Sequence, residues 1–334
     1  MTTGTKFGWL QRHLVTLIGL MVSAAALVLL GRTVTWAEVV RALVDVELVT
    51  LWPVPFILLL GFALRALRWQ ALIEHTPAIG FRGCFNAMMQ GYLFNTLLPA
   101  RAGDLVRTLE LARTQQMSRT KVLATLVTEK IVDLGSVLVI LSGVLLAYPA
   151  LPDWLGAAGI VIGTISGGLL VVTIALHLAG GDRLVVLTNT AGRILPPALA
   201  VRLEPMTRAG LEGLNPLFAP ARLGIVSVLT GAIWSVEVFL VHQVAQACGV
   251  DLSLGNALFV LLVLANVSML PASPGMIGTY EFFGVMALNI VGVIGAKAVV
   301  TIVTLHAITI AGAVVIGIVC VALRPSTPNA QEHA

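Results

Sequence analysis

Arg101, Asp104, Arg107 and Glu110 follow one another at intervals of three residues. On a helix, side chains three apart are neighbours, so these alternating signs make a ladder. Two readings fit it. One is a solvated face of a surface helix. The other is a grip in which Arg101 and Arg107 meet an anionic headgroup at the mouth of a cavity, because the planar guanidinium can hold phosphate with two hydrogen bonds. A second cluster is Glu129, Lys130 and Asp133. Glu129 and Asp133 share a helix face at i,i+4, where like charges repel. Away from water that arrangement calls for a nearby cation or a shared proton. Lys130 points roughly 100° away along the helix, so Arg107 or Arg101 is the expected partner. A Glu129 placed at the membrane interface would need none.

The third segment is Ser273-Pro274-Gly275-Met276-Ile277-Gly278-Thr279-Tyr280-Glu281. Pro271 and Pro274, with Gly275 and Gly278, prevent a continuous helix. The amides at the restarting helix suit an anion, and a purely structural hairpin turn is compatible with the same residues. Glu237 and His242 sit inside an otherwise apolar stretch. A lone histidine there is more often a satisfied packing residue than a ligand, whereas Glu237 is expected to pair with Arg65. No HExxH, Walker, GxSxG or DxD pattern occurs. Cys84, Cys248 and Cys320 lie far apart with no CxxC spacing, so neither a disulfide, a metal site, a cofactor nor a catalytic residue is assigned.

The elements that must position these groups belong in lipid. Of 334 residues, 58% are hydrophobic and only 11% charged, whereas soluble domains carry about a quarter charged residues. Crossing about 30 Å of hydrocarbon takes roughly 20 apolar residues per helix. Six spans are expected at 14–30, 48–67, 122–147, 157–179, 223–247 and 298–323, with re-entrant hairpins at 83–112 and 255–295. This arrangement puts sixteen of the 20 Lys and Arg residues on the cytoplasmic side, leaving Arg32, Arg41 and Lys297 outside and Lys130 within a helix, as the positive-inside bias requires. A full span at 83–100 would instead send the cations of 101–121 outside. Both termini are then cytoplasmic, in a multi-pass protein of the cytoplasmic (inner) membrane. No small-residue cleavage site follows Lys6 and Arg12, so the first helix is expected to stay. The proline-rich segment 181–222 reads as amphipathic helices on the cytoplasmic face, and Gly159, Gly163 and Gly167 as a close-packing stripe.

An internal repeat organises the chain. Leu98-Pro99-Ala100-Arg101-Ala102-Gly103 and Leu270-Pro271-Ala272-Ser273-Pro274-Gly275 both read LPAxxG, 172 positions apart. Asn95 and Asn266, and Glu110 and Glu281, agree within one residue of that register, and Arg65 and Glu237 match it. The expected fold is all-α: one membrane domain, 1–325, with half-repeats of about 10–147 and 157–323 joined by 148–156, and a polar tail 326–334. The odd number of crossings between the halves inverts them. Helices broken at Pro99, Gly103, Pro271 and Pro274 then imply a polar cavity, because broken backbone at membrane depth needs protein or water around it.

Tyr92 to Arg107, Glu129-Lys130-Ile131-Val132-Asp133 and Pro271 to Glu281 resemble the motifs of the lysylphosphatidylglycerol synthase transmembrane-region, or flippase-like, family over roughly 10 to 325. The departures are Lys130, where the family usually has arginine, and Met276, where it often has a second glycine. The resemblance implies a membrane domain that moves or handles lipids. The chain stops soon after its last helix, so the aminoacyl-transfer domain of bifunctional members is not expected. The reading that follows is a lipid translocase and not an enzyme. Its substrate is a membrane lipid with an anionic or polar headgroup; nucleic acid is not a partner, and a homo-oligomer or a lipid-biosynthesis enzyme is. The gate is Arg101, Asp104, Arg107, Glu110, Glu129, Lys130 and Asp133, with Ser273, Gly275, Gly278, Thr279 and Glu281 as the opposing wall. The rival readings are a membrane-embedded transferase using Glu129 or Asp133 as general base, and a non-transporting partner of a lipid-modifying enzyme.

Overall fold

A computed structural model describes residues 19–32, 34–73, 79–98, 102–147, 153–179, 211–267 and 273–323, with positions 190, 204, 207 and 208. Every element among the described residues is helical. The helices are α1 (Gly19–Gly31), α2 (Trp36–Val44), α3 (Val54–Leu72), α4 (Phe81–Leu97), α5 (Gly103–Thr114), α6 (Arg119–Ala147), α7 (Asp153–Ala179), α8 (Pro220–Ala247), α9 (Leu254–Val267), α10 (Thr279–Ile290) and α11 (Ala296–Ala322).

Three helical stretches, Leu48–Leu72, α8 and α11, are each long and apolar enough to cross a membrane. A fourth is added if α1 and α2, bent by 85°, count as one span. The bend was not anticipated. It follows from Thr35, whose hydroxyl accepts from the Glu38 amide while the Glu38 carboxylate accepts from the Thr35 amide, so α2 starts afresh there. The outer faces carry bare aliphatic side chains, with Val139 73% and Val228 73% exposed, a surface suited to hydrocarbon and not to water.

Element order repeats. Shifting α4 by 172 gives 253–269, against α9 at Leu254–Val267, and shifting α6 gives 291–319, against α11 at Ala296–Ala322. Among the described residues the core forms two clusters, and each draws on both halves of the chain. Ala66, Trp69, Cys84, Met88, Leu111 and Val122 pack with Ala313 and Cys320 of α11. Val244, Ala257, Val260, Leu288 and Ile302 pack with Val54 of α3 and Val137 and Val144 of α6. α3 and α8 are in extensive contact, as are α4 and α11.

Pro99, Arg101 and Pro271, with 14–18, 148–152, the tail 326–334 and most of 181–222, lie outside the described residues. Gly103, expected as a helix break, is instead the first residue of α5. A Cβ there would stand 1.9 Å from the Gly91 carbonyl oxygen and 2.6 Å from the Asn95 amide. Glycine is needed at this point because the α4 and α5 backbones touch. The glycine stripe on α7 is only partly used: a Cβ at Gly159 would meet Leu141 at 3.6 Å and one at Gly163 would meet Leu138 at 3.7 Å, while Gly167 meets nothing.

Candidate functional site

α3 is apolar apart from Arg65 and Arg68 in its charged complement, three residues apart and hence on neighbouring positions of one face. That face turns toward α6 and α8 and forms one wall of a cavity of about 810 Å³. The cavity is bounded by α3, α4, α5, α6, α8, α9, α11 and the start of α10, and by the Ser273–Met276 turn. Its charged lining residues are Arg65, Arg68, Arg107 and Lys130 against Asp104, Glu129, Asp133 and Glu237.

Arg107 is the centre of the site. It is 2% exposed, yet it carries a full charge, and burial of that kind demands pairing. Its Nη2 lies 3.1 Å from Glu129 Oε2 and its Nε 3.4 Å from Asp104 Oδ1, while the guanidinium stands 5.1 Å over the Trp69 ring. Trp69 is itself held by donating to Thr125 Oγ1 at 3.0 Å. Nε and Nη1 of Arg107 and Oδ1 of Asn95 are buried without a hydrogen-bond partner. Orphaned buried donors of a charged group are costly, and here they lie beside the cavity.

The expected cation for the acidic pair is only half right. Arg107 takes Glu129, but Asp133 is held by Arg68, whose Nη2 donates to Asp133 Oδ1 at 2.7 Å and stands 3.8 Å from Glu129. Arg68 also donates to Thr230 Oγ1 at 3.3 Å, tying α3 to α8 as well as α6. Arg68 was assigned no role from sequence, although a second arginine one turn after Arg65 in an apolar helix was the available signal. Lys130 stays at the rim, 44% exposed and 3.9 Å from Asp133. Arg65 and Glu237 form the expected ion pair.

Glu110 departs from the ladder. It is buried and paired with Arg113 at 3.6 Å, but it does not line the cavity, because it lies a further turn along α5. On the opposing wall Ser273, Gly275 and Met276 line the cavity, whereas Gly278, Thr279 and Glu281 sit behind it. Thr279 Oγ1 donates to the Met276 carbonyl at 3.0 Å, and the Gly278 amide donates to Glu281 Oε2 at 2.6 Å. Gly275 and Gly278 have φ of +64° and +97°, and Met276 has φ of +59°. The left-handed backbone explains why glycine suits this turn. His306, also missed from sequence, reaches Glu281 from α11. Its signal was weak, since it lies 25 residues downstream in an apolar helix. His242, by contrast, is spent on the Leu252 carbonyl at 2.6 Å. Among the described residues no group of three or more His, Cys, Asp or Glu side chains is placed to hold a metal ion.

Chemically, the site is a buried lattice of ion pairs with vacant guanidinium donors, open to a cavity large enough for a headgroup. Among characterised proteins, the chain is similar to one named Glycosyltransferase AglD from Haloferax volcanii. It is 26% identical over 343 aligned positions, which cover 92% of this chain and 54% of that protein. The chain thus spans about half the length of this relative. No solved structure matches the chain. The relative's name overturns the expectation that the protein is not an enzyme, since it points, at a distance, to enzymatic chemistry among its kin. The profile described as the lysylphosphatidylglycerol synthase TM region matches residues 16–317, which take in every cavity-lining side chain described above. The chain belongs to the lysylphosphatidylglycerol synthase TM region family.

Proposed function

We propose that this protein handles a membrane lipid by admitting its polar headgroup into the cavity between two inverted halves and passing it between leaflets. The halves are 10–147 and 157–323, with six spans, re-entrant hairpins at 83–112 and 255–295, and both termini cytoplasmic. The observation that carries the reading is Arg107, a buried guanidinium beside a cavity of about 810 Å³, whose Nη1 has no hydrogen-bond partner and whose Nε has only an ion-pair contact with Asp104 at 3.4 Å. A phosphate-type anion would satisfy both donors. Arg68 and Arg65 extend the cationic wall. Glu129, Asp133 and Glu237 hold these arginines in place while the cavity is empty. The charged lining of the cavity spares the headgroup the cost of crossing hydrocarbon, while the acyl chains remain in lipid.

The test is headgroup accessibility in vesicles containing purified protein and a trace of acyl-chain-fluorescent phosphatidylglycerol, quenched from outside by a membrane-impermeant reductant. Wild type should expose nearly all of the probe, and Arg107→Ala only the outer-leaflet fraction. Equal quenching with and without protein rejects translocation of this lipid.

A second reading, favoured by the name of the relative, is that the same cavity presents a lipid-linked substrate for glycosyl transfer. In that case the purified protein transfers sugar to or from a polyprenyl phosphate-linked acceptor without changing leaflet accessibility. Glu129 and Asp133, already bound to Arg107 and Arg68, would then position the substrate.

A further inference from the structure

His306 and Glu281 form a second polar centre that the arginine lattice does not use. His306 is 6% and Glu281 8% exposed, and His306 Nδ1 lies 2.5 Å from Glu281 Oε1. So short a contact holds a hydrogen between the two heavy atoms. Tyr280 stacks on the imidazole, with ring centroids 4.1 Å apart and planes 17° apart, and both rings line the cavity. The other carboxylate oxygen of Glu281 receives the Gly278 amide, where α10 begins. Gly278 is pressed on α1, since a Cβ there would lie 2.5 Å from the Ser23 carbonyl oxygen. The Ser273 amide donates to Ser23 Oγ at 3.2 Å. Charge at the imidazole is therefore linked through Glu281 to the turn that walls the cavity and to its seat on α1.

We propose that His306 and Glu281 are a proton-binding site whose proton accompanies an anionic headgroup into the cavity; this rests on the translocation reading above. The proton comes from water through the cavity, binds the imidazole as its second hydrogen, and returns to water on the other side. With one hydrogen the pair carries a charge of −1, and with two it is neutral. A neutral pair beside the cavity favours an anion, and a bound anion favours the second proton, since coupling between two ligands is reciprocal. Histidine is the residue suited to such exchange near neutral pH.

The surroundings leave this pair as the group that changes charge. On α10 the neighbour is Tyr280. On α8 they are Glu237, already paired with Arg65 of α3, His242, held by the Leu252 carbonyl, and Arg222 at the helix start. α3 also holds Arg68, α4 contributes Tyr92 to the cavity and carries Arg82 at its start, and α2 has exposed Glu38 and Arg41. α1 and α9 carry no charged side chain, and α11 has only Lys297, nine residues from His306.

Proton uptake is measured with a pH indicator as phosphatidylglycerol is added to the detergent-solubilised protein, and probe translocation is measured in vesicles from pH 5.5 to 8. Wild type should take up close to one proton per protein, and its rate should change by about tenfold across the range. His306→Gln should take up none and vary less than about twofold, whatever its absolute rate. Uptake or a pH profile in His306→Gln equal to wild type overturns the proposal, as does translocation by wild type that ignores pH. If wild type moves no probe at any pH, the translocation reading fails separately. The proton site is then judged by amide exchange across residues 273–290, corrected for intrinsic rates. Protection there should depend on pH in wild type and lose that dependence in His306→Gln; identical profiles overturn it.

Discussion

Arg65 of α3 and Glu237 of α8 form an ion pair although they lie 172 positions apart, which is also the spacing of the two LPAxxG motifs. Under a two-fold relation between halves, equivalent positions can touch only on the axis. The pair thus marks where α3 and α8 would cross it, and Arg68, one turn on, reaches Thr230, Asp133 and Glu129 around that point.

Exchanging these two charges tests the contact. Both side chains are partly exposed, at 26% and 20%, so each single neutralisation, Arg65→Gln or Glu237→Gln, should cost about 1–2 kcal/mol, between surface and buried pairs. The double variant Arg65→Glu with Glu237→Arg should recover most of it. Thermal unfolding in detergent, followed by tryptophan fluorescence, is the measurement; a double variant no better than the sum of its halves rules out the pairing.

Arg107 and Glu129 should behave as one unit. Arg107→Ala strands a buried carboxylate, for which loss of about 3–5 kcal/mol is the scale, and adding Glu129→Gln should restore part of it. With Arg107 as the cation expected for the Glu129 and Asp133 pair, Asp133→Asn would be an equal candidate for the compensating change. Because Asp133 is bound by Arg68 at 2.7 Å, that combination should instead be as damaged as Arg107→Ala. A double-mutant cycle at matched expression separates the two.

Gly103 should be irreplaceable and Gly163 dispensable. A methyl at Gly103 would land 1.9 Å from a backbone oxygen of α4, where only a shift of the hairpin can make room, so Gly103→Ala should cost about 3 kcal/mol or prevent assembly. At Gly163 the nearest atom is a Leu138 methyl at 3.7 Å, and alanine should change stability by less than about 0.5 kcal/mol. Equal melting temperatures for the two variants would contradict this.

The turn at Gly275–Gly278 gives an opposite pair of expectations. Met276 adopts φ of +59°, which costs a side-chain-bearing residue about 1–2 kcal/mol. Met276→Gly recovers that but frees the unfolded chain, leaving a gain of up to about 1 kcal/mol. Gly278→Ala meets both a φ of +97° and the Ser23 carbonyl at 2.5 Å, and should lower the melting temperature markedly.

The amino-acid sequence by itself determined the solvent of this protein, the all-helical class and most helix positions. Apolar runs of membrane length and scarce charge leave few other folds, and helix bounds at 147, 179 and 247 agree with the ends of those runs. It also identified Arg65 with Glu237, because an isolated charge in an apolar helix must find its opposite, and it offered Arg107 or Arg101 as the cation for Glu129 and Asp133. Only the tertiary structure decided which arginine serves Asp133, that Glu110 leaves the cavity, and that His306 holds Glu281. It also gave the two motif glycines different tasks: Gly103 is required by touching backbones, whereas Gly275 stands in left-handed conformation with its nearest neighbour at 3.6 Å. The reason is physical. Periodicity fixes which residues share one helix face, but the partner of a face depends on how several helices cross, and that crossing is set by packing among residues far apart in the chain.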